Sequence, residues 1–195
     1  MHRYLTHPQV RIEPDVPVPE WGLSDTGRGR AERLAAAGWL AGTRRIVSSA
    51  ETKAIETAEI LARALGIDVE IRPGMHENDR SATGFLKGPE FEEAADRFFA
   101  EPDRSVRGWE RAADAQARIV REVAEALAGG GDGGVLFVGH GGVGTLLLCH
   151  IAALAIDRRH DQPAGGGNHF GFAFAPAKVH HRWRRLEEPP PVTAG

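Results

Sequence analysis

Ten consecutive residues, Val135-Leu136-Phe137-Val138-Gly139-His140-Gly141-Gly142-Val143-Gly144, narrow the choice of fold more than any other stretch. The apolar run does not alternate, so it reads as a strand buried on both faces. The glycines that follow predict a tight turn, and the apolar residues from Val143 to Ala153 predict a helix. A buried strand running straight into a helix is half of a parallel crossover unit. His140 is thereby placed at the carboxyl end of a strand, facing the amino end of a helix. Ligands bind at that edge of open α/β sheets. The helix dipole and its unpaired N–H groups favour an anion there.

The rest of the chain repeats the pattern. Tyr4-Leu5-Thr6 predicts a first strand, ended by His7-Pro8, because proline cannot continue a central strand. Prolines at 8, 14, 17 and 19 make the segment from Gln9 to Trp21 a loop. Ser24 is the expected N-cap of a helix that stops near Gly38. Arg45–Ser48 predicts a second strand, and Ser49 is the expected cap of the next helix. That helix carries the stripe Ala54, Ala58, Leu61, Leu65 and ends at Gly66. Val69–Arg72 predicts a third strand. Helices are expected over Glu90–Ala100 and Trp109–Leu127, with Phe91, Phe98 and Phe99 as core or lid packing. Gly129 to Gly134 reads as a flexible link, and Phe170–Ala175 and Val179–Leu186 as two strands around a Pro176 turn. The expected fold is a three-layer α/β/α sandwich on a mostly parallel sheet, with one domain over 1–188. The tail 189–195 is expected to stay unpacked.

Composition removes several classes of function. The net charge of −3 gives no field for nucleic acid. No run nears the ~20 apolar residues of a membrane span, and no signal-peptide core is evident, so the expected location is cytoplasmic. The single cysteine, Cys149, lies in the apolar run after the glycine turn and reads as a buried hydrophobe. His150, His160, His169, His180 and His181 match no metal-ligand spacing, and neither metal nor cofactor is expected. Arg182, Arg184 and Arg185 read as a solvated strand face. The sequence permits a homodimer without specifying one.

Gly139 to Gly144 also fits G-x-G-x-x-G, a dinucleotide turn. It lies late in the chain, however, and Asp157 and Asp161 are too near for a ribose-binding acid. No G-x-S-x-G marks a serine hydrolase. Counting strand ends is more informative. His7 follows strand one; Ser48, Ser49 and Lys53 follow strand two; Glu77 follows strand three, with Asp79 as its rival; His140 follows strand four. In a parallel sheet these ends share one edge. Two imidazoles, a cation, hydroxyls and a carboxyl group suit phosphoryl transfer to a histidine.

At these positions the sequence resembles the histidine phosphatase superfamily, which includes cofactor-dependent phosphoglycerate mutases. The likeness runs from Tyr4 to about Leu186. It is carried by Thr6-His7, by Leu23-Ser24-Asp25-Thr26-Gly27-Arg28, by Ser48-Ser49-Ala50-Glu51-Thr52-Lys53-Ala54-Ile55-Glu56-Thr57-Ala58, by Glu77 and by Val138-Gly139-His140-Gly141-Gly142. The resemblance implies a metal-independent phosphatase acting on a phosphate monoester, with inorganic phosphate as product. His7 would be the nucleophile that becomes phosphohistidine, His140 would contact the phosphoryl oxygens, and Glu77 would serve as acid and then base. A small phosphorylated metabolite is the expected substrate. A mutase is not expected, since the insertions of the larger mutases are lacking.

Two departures stand out. Thr6-His7-Pro8 replaces the family's Arg-His-Gly, and Lys53 replaces an arginine. Lysine keeps the charge but not the bidentate fork. Phosphate binding is therefore assigned to Lys53, Thr6 and Gly141, with Arg11 or Arg80 expected to supply the missing guanidinium. The rival reading is a phosphate- or ligand-binding regulatory protein that kept the fold and lost turnover.

Overall fold

The structure, a computed structural model of the chain, describes residues 1–131 and 133–191. Six strands form one sheet: β1 (His2–Thr6), β2 (Thr43–Ser49), β3 (Val69–Arg72), β4 (Gly134–Gly139), β5 (Asn168–Ala173) and β6 (Lys178–Arg185). Their order across the sheet is β3-β2-β4-β1-β5-β6. The first four run parallel, whereas β5 and β6 add an antiparallel edge beside β1. Five helices cover the faces: α1 (Asp25–Ala36), α2 (Thr52–Leu65), α3 (Gly88–Ala100), α4 (Ala112–Ala128) and α5 (Gly141–Ile151).

Alternation along the strands divides the core in two. Leu5, Ile46, Leu136 and Val138 face α1 and α2, meeting Leu34, Ala54, Ala58 and Leu61. Tyr4, Val47, Phe137, Phe170 and Phe172 face the other way, against residues of α3, α4 and α5. Successive strand side chains point to opposite faces, so two apolar layers follow from one apolar run. Cys149 is fully buried in α5. Phe98 and Phe99 enter the core, and Phe91 packs at its margin. None of the described helices is long and apolar enough to cross a membrane.

Several boundaries differ from expectation for local reasons. Ser24 does cap α1, accepting the Gly27 N–H at 3.1 Å. Gly66 ends α2 with φ of 67°, in the left-handed region. Ser49, by contrast, does not cap α2. It lies in β2, its hydroxyl accepts the Glu51 N–H at 3.3 Å, and Glu51 holds the N-cap position. The predicted Trp109–Leu127 helix starts only at Ala112, since Trp109 sits in a turn closed by its N–H on the Val106 carbonyl. The expected link at 129–134 and the unpacked tail extend over Asp132 and residues 192–195, which lie outside the described residues.

Candidate active site

Register assembles the site. Thr6 pairs with Gly139 and Ser48 with Val138, so β1, β2 and β4 end side by side. Each strand hands its next residues to the same edge: His7, the Ala50–Lys53 segment and His140. Ser49 pairs with Arg72 at the end of β3, which brings the loop carrying Glu77 to the same rim. The two imidazoles meet edge to face, with ring centroids 5.3 Å apart.

Each ring is held differently. Half-buried His7 places Nδ1 2.8 Å from the Pro8 carbonyl, an acceptor only, so Nδ1 carries the proton and Nε2 the lone pair. Removal from water and the neighbouring His140 hold its pKa at about 3, far below the ordinary value. His140 is fully buried. Its Nε2 lies 2.8 Å from the Ser49 hydroxyl and 3.5 Å from Glu51 Oε1, while its Nδ1 has no partner in the protein. Burial lowers the His140 pKa as well, against the opposing pull of Glu51 and Glu77. Tyr4 fixes the turn from beneath: its hydroxyl accepts the His140 N–H at 3.1 Å and reaches the His140 carbonyl at 3.2 Å. Gly139 and Gly144 make room for that ring, since a Cβ at either would lie 2.3 or 2.5 Å from Tyr4 atoms.

Glu77 takes the seat expected for a bound anion. Its carboxylate accepts the N–H groups of Gly142 and Val143, each at 3.0 Å, at the amino end of α5. The Asn78 N–H donates to it as well, at 3.1 Å. Gly142 permits this approach, because a Cβ there would come within 2.8 Å of Glu77 Oε1. Burial would raise the Glu77 pKa, but Arg80, His140 and the two α5 N–H groups outweigh it and lower the value. The rival Asp79 is exposed, accepting the Ser81 N–H at 2.8 Å.

The proposed phosphate ligands fare unevenly. Gly141 opens α5 beside His140, and a Cβ there would lie 2.2 Å from the Gln162 side-chain amide. Thr6 is not available: its hydroxyl accepts the Asn168 N–H at 2.9 Å and contacts Gln162 Oε1 at 2.7 Å, tying β1 to β5. Arg11 points away, its side chain 66% exposed and paired with Glu13 at 3.0 Å. Arg80 stays near, with its guanidinium 5.3 Å from the Phe91 ring and 5.6 Å from the Trp109 ring. Lys53 is buried, but its ammonium is engaged by Glu51 Oε2 at 2.5 Å and by the Val18 carbonyl at 2.7 Å.

Glu51 is the residue that sequence reasoning missed. Its Oε2 holds Lys53, and its Oε1 accepts the Glu77 N–H at 2.8 Å beside His140. Burial opposes its ionisation, yet His140 and Lys53 prevail and hold its pKa at about 2. The expectation that Lys53 offers a free positive charge to phosphate is thus corrected: Glu51 cancels it. An acidic residue two positions before Lys53 in the Ser-Ser segment was the available signal. Arg30 was also missed. It is buried in α1, pairs with Glu187 at 2.6 Å and reaches the carbonyls of Gly166 and Gly167 at 3.1 and 3.2 Å. The Gly167 N–H in turn donates to the His7 carbonyl at 2.9 Å. Among the described residues no cluster of three or more His, Cys, Asp or Glu has the geometry of a metal site. His169 and His181 do meet, with ring centroids 5.0 Å apart, as packed rings.

Comparison with known proteins follows the same lines. A family model described as the histidine phosphatase superfamily (branch 1) matches residues 9–168, beginning just beyond His7. No curated protein matches the chain significantly. Among solved structures, a mycobacterial glucosyl-3-phosphoglycerate phosphatase aligns with a TM-score of 0.74 at 22% identity, covering 94% of this chain and 95% of its own. A Bacillus stearothermophilus protein, YhfR, aligns at 0.75 and 21% identity, covering 91% and 93%. A phosphoserine phosphatase from Entamoeba histolytica aligns at 0.72 and 15% identity, covering 92% and 94%. At these identities the likeness is one of fold.

Proposed function

Since the chain belongs to the histidine phosphatase superfamily, we propose that it hydrolyses a phosphate monoester through a phosphohistidine at His7, with no step that calls for a metal. The observation that carries this reading is the His7–His140 pair, 5.3 Å apart at the strand edge, with His7 Nδ1 anchored on Pro8. The anchor directs an unprotonated Nε2 outward as a nucleophile. Attack forms the Nε2–P bond, and the P–O bond to the leaving group breaks with its electron pair on oxygen. Water then adds to phosphorus and returns the electron pair to Nε2. Contact with the phosphoryl oxygens is assigned to His140, whose ring lies against His7, and proton transfer to Glu77. The mycobacterial phosphatase of this fold has been solved with inorganic phosphate and with VO3, which supports an oxyanion as the kind of ligand to test.

A specific observation favours the rival reading, a ligand-binding protein without turnover. Glu51 neutralises Lys53 and the Thr6 hydroxyl is tied to Gln162, which leaves the arginine that the resemblance implies at position 6 without a replacement. Turnover of p-nitrophenyl phosphate separates the two. The parent should release p-nitrophenol, His7→Ala should lose at least ~10³-fold in kcat/KM, and vanadate should inhibit. An inert parent that still binds phosphate would establish the binding protein instead.

A further inference from the structure

Glu51 places a carboxylate in the anion pocket of a phosphatase. The charged and titratable groups around the pocket come from every element at its rim: Tyr4 from β1 and His7 just after it, Glu51 and Lys53 from the start of α2, Glu77 and Arg80 from the loop after β3, and His140 at the start of α5, with Asp161 beyond α5 already engaged by the Thr145 hydroxyl and the Gln162 N–H. Arg118 approaches from α4, but it is spent on Glu110 and on the carbonyls of Gly74 and His76. Burial holds both imidazoles below their ordinary pKa, so the permanently charged groups beside them are Lys53 and Arg80 against Glu51 and Glu77. They balance. Glu51 is not at a distance, either: one oxygen lies 3.5 Å from His140 Nε2 and the other on Lys53. A phosphoryl group seated between His7 and His140 gains little from a lysine whose charge is already matched. A second negative charge on that group would face Glu51 and Glu77 with no matching cation.

We propose that Glu51 is a specificity-determining residue, and that it makes the pocket select a singly charged, protonated phosphoryl group over the dianion. The proposal rests on the phosphatase reading and deepens it. It also resolves a difficulty at Glu77. Both oxygens of that carboxylate accept backbone N–H groups, so the resting residue has no proton to give a leaving alcohol. A monoanionic ester brings one. Its P–OH proton passes through the Glu77 carboxylate to the leaving oxygen as the P–O bond breaks. The alcohol departs neutral, and His7 Nε2 holds a phosphoryl dianion beside its own positive ring. Water then loses a proton to Glu77 as its oxygen bonds to phosphorus and the P–N bond breaks. Glu77 returns that proton to the product, which leaves as the phosphate monoanion. Protons and charge balance with Glu77 unchanged.

The test is calorimetric binding of inorganic phosphate and of sulfate to the parent and to Glu51→Gln. Glutamine keeps an acceptor for Lys53 and removes the charge. Phosphate loses its second proton near neutrality, whereas sulfate is doubly charged throughout. In the parent, phosphate affinity should stay level from about pH 5.5 to about pH 7 and then weaken about tenfold per unit of pH up to about pH 9, where the dianion dominates. Sulfate should bind at least ~10-fold more weakly than phosphate at the acid end. In Glu51→Gln the pH dependence should flatten and sulfate should tighten by ~10-fold or more. Equal phosphate affinity across that range in the parent would overturn the proposal without needing the variant to fold. A folded variant that binds sulfate no tighter than the parent would overturn it too. Turnover of p-nitrophenyl phosphate, measured alongside, tests the phosphatase reading separately. Turnover with pH-independent phosphate binding sinks the selectivity alone, and selective binding without turnover sinks catalysis alone. An absence of both removes the two together.

Discussion

Single residues at this site are set by what surrounds them rather than by type. Tyr4 would be an ordinary strand aromatic if its hydroxyl did not clasp the His140 backbone. Tyr4→Phe leaves a buried N–H without its acceptor and should lower the free energy of urea unfolding by about 1–3 kcal/mol. Turnover should fall with it, since the hydroxyl fixes the backbone of the imidazole turn. His169 shows the same dependence on context. Burial, chiefly, and then the nearby His181, Arg3 and Arg184 hold its pKa at about 4, against the 6.5 of a free imidazole. A native state that stays neutral while the unfolded chain takes up a proton loses stability on acidification. This contribution is complete above about pH 6.5 and disappears as pH falls towards about 4, with each unit worth about 1.4 kcal/mol. His7 acts with the same sign, down to about pH 3. Stability measured by urea unfolding should therefore drop steeply across this window, and His169→Phe should make the slope shallower.

At the scale of elements, helix starts organise the chemistry. The amino end of α5 is normally an anion seat, and here Glu77 occupies it. Gly142→Ala would set a methyl group against that carboxylate. Turnover should fall by ~10-fold or more while overall stability changes by about 1 kcal/mol, measured by kinetics and urea unfolding together. The start of α1 packs still more tightly. A Cβ on Gly27 would lie 2.1 Å from the Gln9 carbonyl oxygen, a backbone atom. Gly27→Ala must push the loop after His7 away from α1. It should cost more than the ~1 kcal/mol of a lost N-cap, whereas Ser24→Ala should cost about that much.

The whole molecule supports the nucleophile from a distance. Arg30 draws together α1, the Gly165-Gly166-Gly167 turn and Glu187 beyond β6. All three glycines have positive φ, and a Cβ on Gly166 would lie 2.7 Å from the His7 carbonyl oxygen. Arg30→Leu removes the guanidinium that satisfies those carbonyls and leaves the exposed Glu187 to water. Melting should occur at lower temperature, with a loss of about 1–3 kcal/mol from the unsatisfied carbonyls, and kcat should fall even for molecules that remain folded.

The layered architecture was legible because it depends on local pattern. An unbroken apolar run, glycines after it, Ser24 ahead of a helix and Gly66 behind another each act over a few residues. Their order alone put His7, Glu77 and His140 on one sheet edge, as parallel strands share their carboxyl ends. What the sequence could not determine is which charges cancel there. Glu51 pairs with a lysine two residues on and with an imidazole 89 positions away, and only the register of β2 against β4 brings the latter within reach. Thr6 is consumed by Asn168 and Gln162, Arg11 turns outward to Glu13, and Arg30 closes a loop 135 residues further along the chain. Backbone periodicity is written within a single segment and survives being read in isolation. Side-chain pairing depends on distances across segments, and those exist only once the sheet has closed.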